Sequence, residues 1–200
     1  MKLLIIAGFL GSGKTTLLLQ VAKHLTAASR RIAIIENEMG EVGVDGEYLT
    51  LEGLHVQELL GGCICCTLAA GLLGTLEKLE RLFHPDLVIL EATGAARPSD
   101  ITQNLRDYQA KVDAVQIITL VDPSRHEMLM EVMTPLVTAQ IQAADIVAVN
   151  KIDRVERETV QRTIESARAL NSRASIVAIS AEDRTRLDTL MADLQCYTAM

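Results

Sequence analysis

The chain has no tryptophan, and only three tyrosines and two phenylalanines among its 200 residues. With so few aromatic rings it is poorly supplied with the platforms on which single-stranded nucleic acid stacks. Positive charge is in deficit too. The 19 lysines and arginines face 26 acidic residues, and the formal charge of −7 argues against a DNA- or RNA-binding surface. No stretch is long and apolar enough to span a bilayer. The opening Met1–Ala7 superficially resembles a signal peptide, but its apolar run is short, and Lys14 and Lys23 follow without a convincing cleavage site. Three of the four cysteines crowd into Cys63–Cys66 and Cys196 stands alone, whereas a secreted disulfide framework spreads its cysteines out. There is no linker, repeat or low-complexity tract. These absences predict a cytoplasmic protein with neither nucleic-acid nor membrane partners.

What is present is apolar bulk: 49% of the residues are hydrophobic, enough for one α/β domain with a core of Leu, Ile, Val and Ala. Periodic segments alternate in βα order. Strands are expected at Leu3–Ala7, Ile32–Ile35, His55–Leu59, Leu87–Leu90, Ala114–Val121, Ile146–Val149 and Ile176–Ile179. Helices are expected near Thr16–Ala27, Leu68–Phe83, Ser99–Tyr108, His126–Ala143, Glu156–Leu170 and Leu187–Leu194. Strands without polar alternation imply a mainly parallel sheet covered by helices on both faces. The segment Asn37–Thr50, rich in Gly and Glu, reads as a long polar loop, and such loops inside compact domains are often functional.

The sharpest motif leaves the first strand directly: Gly8-Phe9-Leu10-Gly11-Ser12-Gly13-Lys14-Thr15, a glycine, four residues, then Gly-Lys-Thr. Glycines let the backbone wrap a polyphosphate with its N–H groups pointing at the oxygens. The helix entered through Thr15 and Thr16 offers its positive dipole end, and Lys14 adds a full charge towards the β- and γ-phosphates. The Thr15 hydroxyl can join a magnesium shell. A glycine-rich turn that binds nothing is the bland alternative, and the flanking strand and helix favour the phosphate loop.

Two later motifs extend the site. Leu87-Val88-Ile89-Leu90-Glu91 is a buried strand ending in a carboxylate suited to the magnesium shell, and Gly94 follows as a candidate γ-phosphate sensor. Asn150-Lys151-Ile152-Asp153 follows the strand Ile146–Val149. Its Asp carboxylate can accept from the ring N1–H and exocyclic amine of guanine, which adenine cannot supply together. The Asn150 side chain can reach the base edge and the Lys151 stem can cover the purine face, while Ser180-Ala181 can close the other side of the pocket. The expected nucleotide is GTP with Mg2+.

Cys63-Ile64-Cys65-Cys66, after Gly61-Gly62, is the most unusual feature. Cys63 and Cys66 have the two-residue gap that presents both sulfurs to one ion, and Cys65 adds a third thiolate. A helix starting near Thr67 would lower the thiol pKa values, favouring metal binding or redox chemistry. Thiolates select Zn, Co, Ni or Cu(I) over Mg. A redox switch and plain packing are the other readings. Glu36 and Glu41, in Glu36-Asn37-Glu38-Met39-Gly40-Glu41, are candidates to complete the metal site, and Glu41 to position an attacking water with Lys14 and Glu91. Against both stands an ordinary solvated acidic loop. Met128–Met133 reads as core or partner-facing surface. His24, His55, His84 and His126 are scattered and carry no assigned role.

With these stretches together, Gly8–Thr16, Glu36–Asp45, Gly61–Thr67, Glu91–Gly94 and Gln140–Asp153, the chain resembles a CobW-type GTPase, a branch of P-loop NTPases associated with metal delivery. The wider group includes GTPases that help insert nickel into hydrogenase and urease, and chaperones of cobalamin-dependent mutases. The resemblance implies slow GTP hydrolysis coupled to holding and releasing Zn2+, Co2+ or Ni2+, with Cys63, Cys65 and Cys66 as cargo ligands. It implies a metal-receiving or corrinoid-dependent partner protein and a nucleotide-dependent homodimer. Many relatives append a second domain; residues 1–200 read as the GTPase domain alone. Two other readings remain at this stage, a GTP-dependent activator of a corrinoid or metalloenzyme partner without metal transfer, and a thiol-redox-gated GTPase.

Overall fold

The computed structural model describes residues 1–27, 31–36, 49–51, 54–58 and 67–198. In chain order these form β1 (Lys2–Gly8), α1 (Lys14–Ala27), β2 (Ile32–Glu36), β3 (Leu49–Leu51), β4 (Leu54–Glu58), α2 (Thr67–Phe83), β5 (Leu87–Glu91) and α3 (Pro98–Asp107). There follow β6 (Ala114–Val121), α4 (Pro123–Val132), α5 (Thr134–Gln142), β7 (Ile146–Val149), a 3-10 turn (Ile152–Arg154), α6 (Arg157–Leu170), β8 (Ser175–Ala178) and α7 (Leu187–Thr198).

One eight-stranded sheet has the order β3-β4-β2-β5-β1-β6-β7-β8. All described pairings are parallel except β3 with β4. The expected α/β fold with helices on both faces is thus present. Alternation along β1 shows why. Leu4 and Ile6 pack on one face against Leu18 and Val21 of α1 and Leu190 and Leu194 of α7. Leu3, Ile5 and Ala7 pack on the other, against Leu72, Leu76 and Leu79 of α2 and Leu105 of α3. Beyond β6 that second face is covered by Leu129, Val137, Ile141 and Ala167 of α4, α5 and α6. Each of the leucine, isoleucine and valine side chains among them, once buried, contributes about 1.5–3 kcal/mol.

The chain order reverses beside β1. From β1 the chain crosses to β2 and β4 on one side, and from β5 it crosses over β1 to β6 on the other. Ligands of open α/β sheets bind at such a switch, outside the carboxyl ends of the strands. There Ile6 lies opposite both Glu91 and Ile118, so the loops after β1, β5 and β6 start side by side.

Two expectations need correction. The single helix at 126–143 is two helices, α4 and α5, meeting at Met133, whose φ of −131° leaves the helical region. Pro135 has no N–H to continue the ladder from α4, so the chain restarts there, and α4 itself begins earlier, at Pro123. The end of the polar loop at 37–50 also folds differently: Leu49 and Thr50 belong to β3, paired with Val56 and His55. A three-residue strand is too short to show a period.

Candidate nucleotide site

The turn from β1 to α1 is built around backbone that other residues resist. Gly13 has φ +98°, and a Cβ there would lie 2.4 Å from the Asn150 amide nitrogen. The loop closes through Ser12 N–H to the Phe9 carbonyl at 3.1 Å, and α1 begins with Leu17 N–H to Gly13 at 3.0 Å. Lys14 is 7% exposed, with Nζ 3.5 Å from the Phe9 carbonyl. Burial pulls its pKa below the usual lysine value, and the charge of Glu91 opposes that shift. The Thr15 hydroxyl donates to Glu91 Oε1 at 3.0 Å. Two hard oxygen donors therefore sit together beside a buried cation, in a cradle of glycine backbone.

The segment after β5 presses on the loop from the side. Ala92 N–H extends the ladder to the Ile6 carbonyl at 2.9 Å, and a Cβ at Gly94 would stand 2.7 Å from Leu10 N. Only glycine lets these two backbones approach so closely.

The second wall comes from the loops after β7 and β8. Asn150 is 2% exposed and both ends of its amide are used. Its Nδ2 donates to the Ser12 carbonyl at 2.9 Å, and its Oδ1 accepts from Ala181 N–H at 2.9 Å. Asn150 is thus a clamp between loops, and its amide is spent on backbone. Lys151, in the left-handed region at φ +63°, reaches back to the Gly11 carbonyl and to Asp122 Oδ2 at 2.9 Å. Asp153 lies at the exposed rim. A hydrogen bond from the Ser180 hydroxyl holds its carboxyl below the usual range, aided by Arg154, whose Nε is 3.5 Å away.

Sequence reading gave no role to Asp122, to Arg125 or to Gln140, which it named only as the start of the Gln140–Asp153 stretch, and it missed the burial of His126. Asp122 caps α4, accepting from Ser124 N–H at 3.0 Å and Ser124 Oγ at 2.6 Å. Burial raises its pKa, but these bonds and Lys151 outweigh burial and leave it lowered. Asp-Pro-Ser after a strand is a helix-start signature and could have revealed this. Arg125 donates to the Leu10 carbonyl at 2.9 Å and lies 5.7 Å from the Phe9 ring centroid. His126 bonds Ser166 through Nε2 at 2.8 Å, while burial, partly opposed by Glu127, lowers its pKa. Among the described residues its Nδ1 and Ser12 Oγ have no hydrogen-bond partner, and both residues line a cavity of about 20 Å³.

Cys63, Cys65, Cys66 and Glu41 lie outside the described residues. Glu36 is described in its backbone, which stands in register with Glu91 on one side and Glu58 on the other. The chain therefore enters the 37–48 and 59–66 segments from the sheet edge that carries Glu91 and adjoins the phosphate loop. Among the described residues no three His, Cys, Asp or Glu side chains are grouped to hold a metal ion, and no helix is long and apolar enough to cross a membrane.

Residues 2–178 match the family model described as CobW/HypB/UreG, nucleotide-binding domain. The zinc chaperone YeiR of Escherichia coli (strain K12) is 35% identical over 159 residues, covering 78% of this chain and 48% of that protein. Zinc-regulated GTPase metalloprotein activator 1 of Schizosaccharomyces pombe is 29% identical over 206 residues, covering 96% and 49%. The crystal structure of the Zn(II)-bound YjiA GTPase from E. coli superposes with a TM-score of 0.65 at 28% identity, covering 88% of this chain and 56% of that one. The chain spans about half the length of these relatives.

Proposed function

The chain belongs to the CobW/HypB/UreG family of nucleotide-binding domains, and from that premise we propose that it is a GTP-hydrolysing metallochaperone that carries a transition metal to a recipient protein. The observation that carries this reading is the Asn150 clamp. It joins Ser12 of the phosphate loop to Ala181 of the opposite loop, so the purine end and the phosphate end of the site form one unit.

In this reading the N–H groups of Gly11, Ser12, Gly13, Lys14, Thr15 and Thr16 bind phosphate oxygens, and Lys14 supplies charge from a dry position. Thr15 and Glu91 would hold a magnesium ion, which when bound would supply positive charge beside the phosphates. Asp153, kept ionised by Ser180, accepts from the guanine ring, with the Lys151 stem and Ala181 on either side. Gly94 reports the γ-phosphate, and Glu41 positions water.

Cys63, Cys65 and Cys66, with Glu36 or Glu41, take the cargo. Zinc leads cobalt and nickel because relatives carry the names zinc chaperone and zinc-regulated activator. The partner is a metal-receiving or corrinoid-dependent protein, and a homodimer forms across the nucleotide sites. The name metalloprotein activator favours one second reading, GTP-driven activation of a metalloenzyme without metal transfer.

Calorimetric titration of the protein with Mg·GTP and Mg·ATP tests the nucleotide assignment. GTP should bind at least about a hundredfold more tightly, as a site built to hydrogen-bond a missing group can discriminate, and Asp153→Ala should erase the preference. Equal affinity for ATP and GTP in the unaltered protein would remove the guanine reading.

A further inference from the structure

A buried amide outside the sequence motifs of the phosphate site is tied to it. Gln140, on α5, is 2% exposed. Its Nε2 donates to the Gly94 carbonyl at 3.1 Å and to the Ala96 carbonyl at 2.9 Å, so both amide hydrogens are spent on one turn. That turn also closes on itself through Ala96 N–H to the Thr93 carbonyl at 3.0 Å. On its far side the backbone of Gly94 abuts Leu10, at the crest of the phosphate loop.

Gln140 is itself anchored. Its carbonyl accepts from the Thr119 hydroxyl at 2.8 Å, and Thr119 is 1% exposed on β6, in register with Ala7 of β1. A path of polar contacts thus runs from β6 through α5 to the turn, whose backbone at Gly94 abuts Leu10 of the loop. An unsupported turn with two loose carbonyls would sample several peptide orientations, and a ligand would have to select one. Gln140 removes that freedom beforehand.

Resting on the proposed GTP site, we propose that Gln140 is a positioning residue that fixes the 94–96 turn against Leu10 and so sets the preference for nucleoside triphosphate over diphosphate. The α- and β-phosphates sit on the loop and helix N-terminus, which Gln140 does not touch. A γ-phosphate extends towards Gly94 and meets a turn already in place. Loss of the latch therefore weakens triphosphate binding selectively.

The test compares a non-hydrolysable GTP analogue with GDP, in the presence of Mg2+, on the full chain and on Gln140→Met, which keeps the bulk and removes both donors. The expected result is a loss of about tenfold for the analogue, an ordinary size for coupling between two sites, with GDP affinity within twofold. Thr119→Val, which loosens the anchor without touching the turn, should shift the same ratio less, and it carries the test if Gln140→Met does not fold. Rescue of the ratio by Gln140→Asn is not expected, since the shorter chain cannot reach both carbonyls. Equal losses for both nucleotides, or an unchanged ratio, would overturn the latch. Failure of the unaltered protein to bind either nucleotide would instead overturn the GTP site on which it rests.

Discussion

Lys14 shows how a single residue is set to its task. It is nearly sealed from water beside Glu91, and its charge is held at a cost that a polyphosphate would offset. Lys14→Met should reduce Mg·GTP affinity by between about tenfold and 150-fold, the range for charge-assisted hydrogen bonds. Urea unfolding of the apoprotein should show no loss of stability, because a buried charge disappears. Undiminished GTP affinity would show that Lys14 does not face the phosphates. His126 gives a pH signature. Its folded-state pKa is lowered by burial, so near and below the ordinary imidazole value the unfolded chain binds a proton that the folded chain refuses. Stability should therefore fall as pH drops from about 7 to 5, and that slope should shrink in His126→Gln. Identical slopes in urea midpoints measured across that range would place the acid sensitivity elsewhere. Residues in contiguous motifs, such as Gly13, Lys14 and Asn150, were legible in the sequence because their spacing is their chemistry. Gln140 and Arg125 were not. Gln140 meets carbonyls 44 and 46 residues away, and Arg125 one 115 residues away, contacts that exist only once the sheet has ordered the elements.

At the scale of elements, the expected strands are found because a sheet covered on both faces demands uninterrupted apolar runs, and β1, β5 and β7 supply them. The break between α4 and α5 was harder to see. Apolar residues keep a helical period across Met133, and only Pro135 marks the restart. The start of α4 has a measurable job. Asp122 caps it and also holds Lys151 by its side chain. Asp122→Ala should lower stability by about 1–3 kcal/mol, from a lost cap and an ion pair broken in a half-buried place. GTP affinity should fall with it, as Lys151 loses one of its two anchors. A urea midpoint equal to that of the unaltered protein would mean that the cap is dispensable. The 3-10 turn that follows Lys151 keeps Asp153 at the rim and near Ser180, where the proposed base recognition would take place.

For the whole molecule, the decisive feature is the shared edge of the sheet. The phosphate loop leaves β1, Glu91 ends β5, Glu36 ends β2, and the segment bearing the cysteines leaves β4, all at carboxyl ends of neighbouring parallel strands. Glu58, Glu36 and Glu91 stand in register there, and adjacent strands are about 4.8 Å apart. The cysteine-bearing segment is thus rooted roughly 10 Å from Glu91, and the phosphate loop one strand spacing further, at roughly 14 Å. In the proposed reading, nucleotide and metal segments therefore share one edge of the sheet through which one can bias the other. Reciprocity then follows: a nucleotide that tightens metal binding is itself bound more tightly by the metal-loaded protein. The measurement that tests this most directly is a titration of the reduced protein with Zn(II), Co(II) and Ni(II), with and without Mg·GTP. A gain in affinity for one metal of at least about fivefold with GTP, lost in Cys66→Ala, is the predicted result. Metal affinities indifferent to GTP would contradict it and leave a nucleotide switch that carries no cargo.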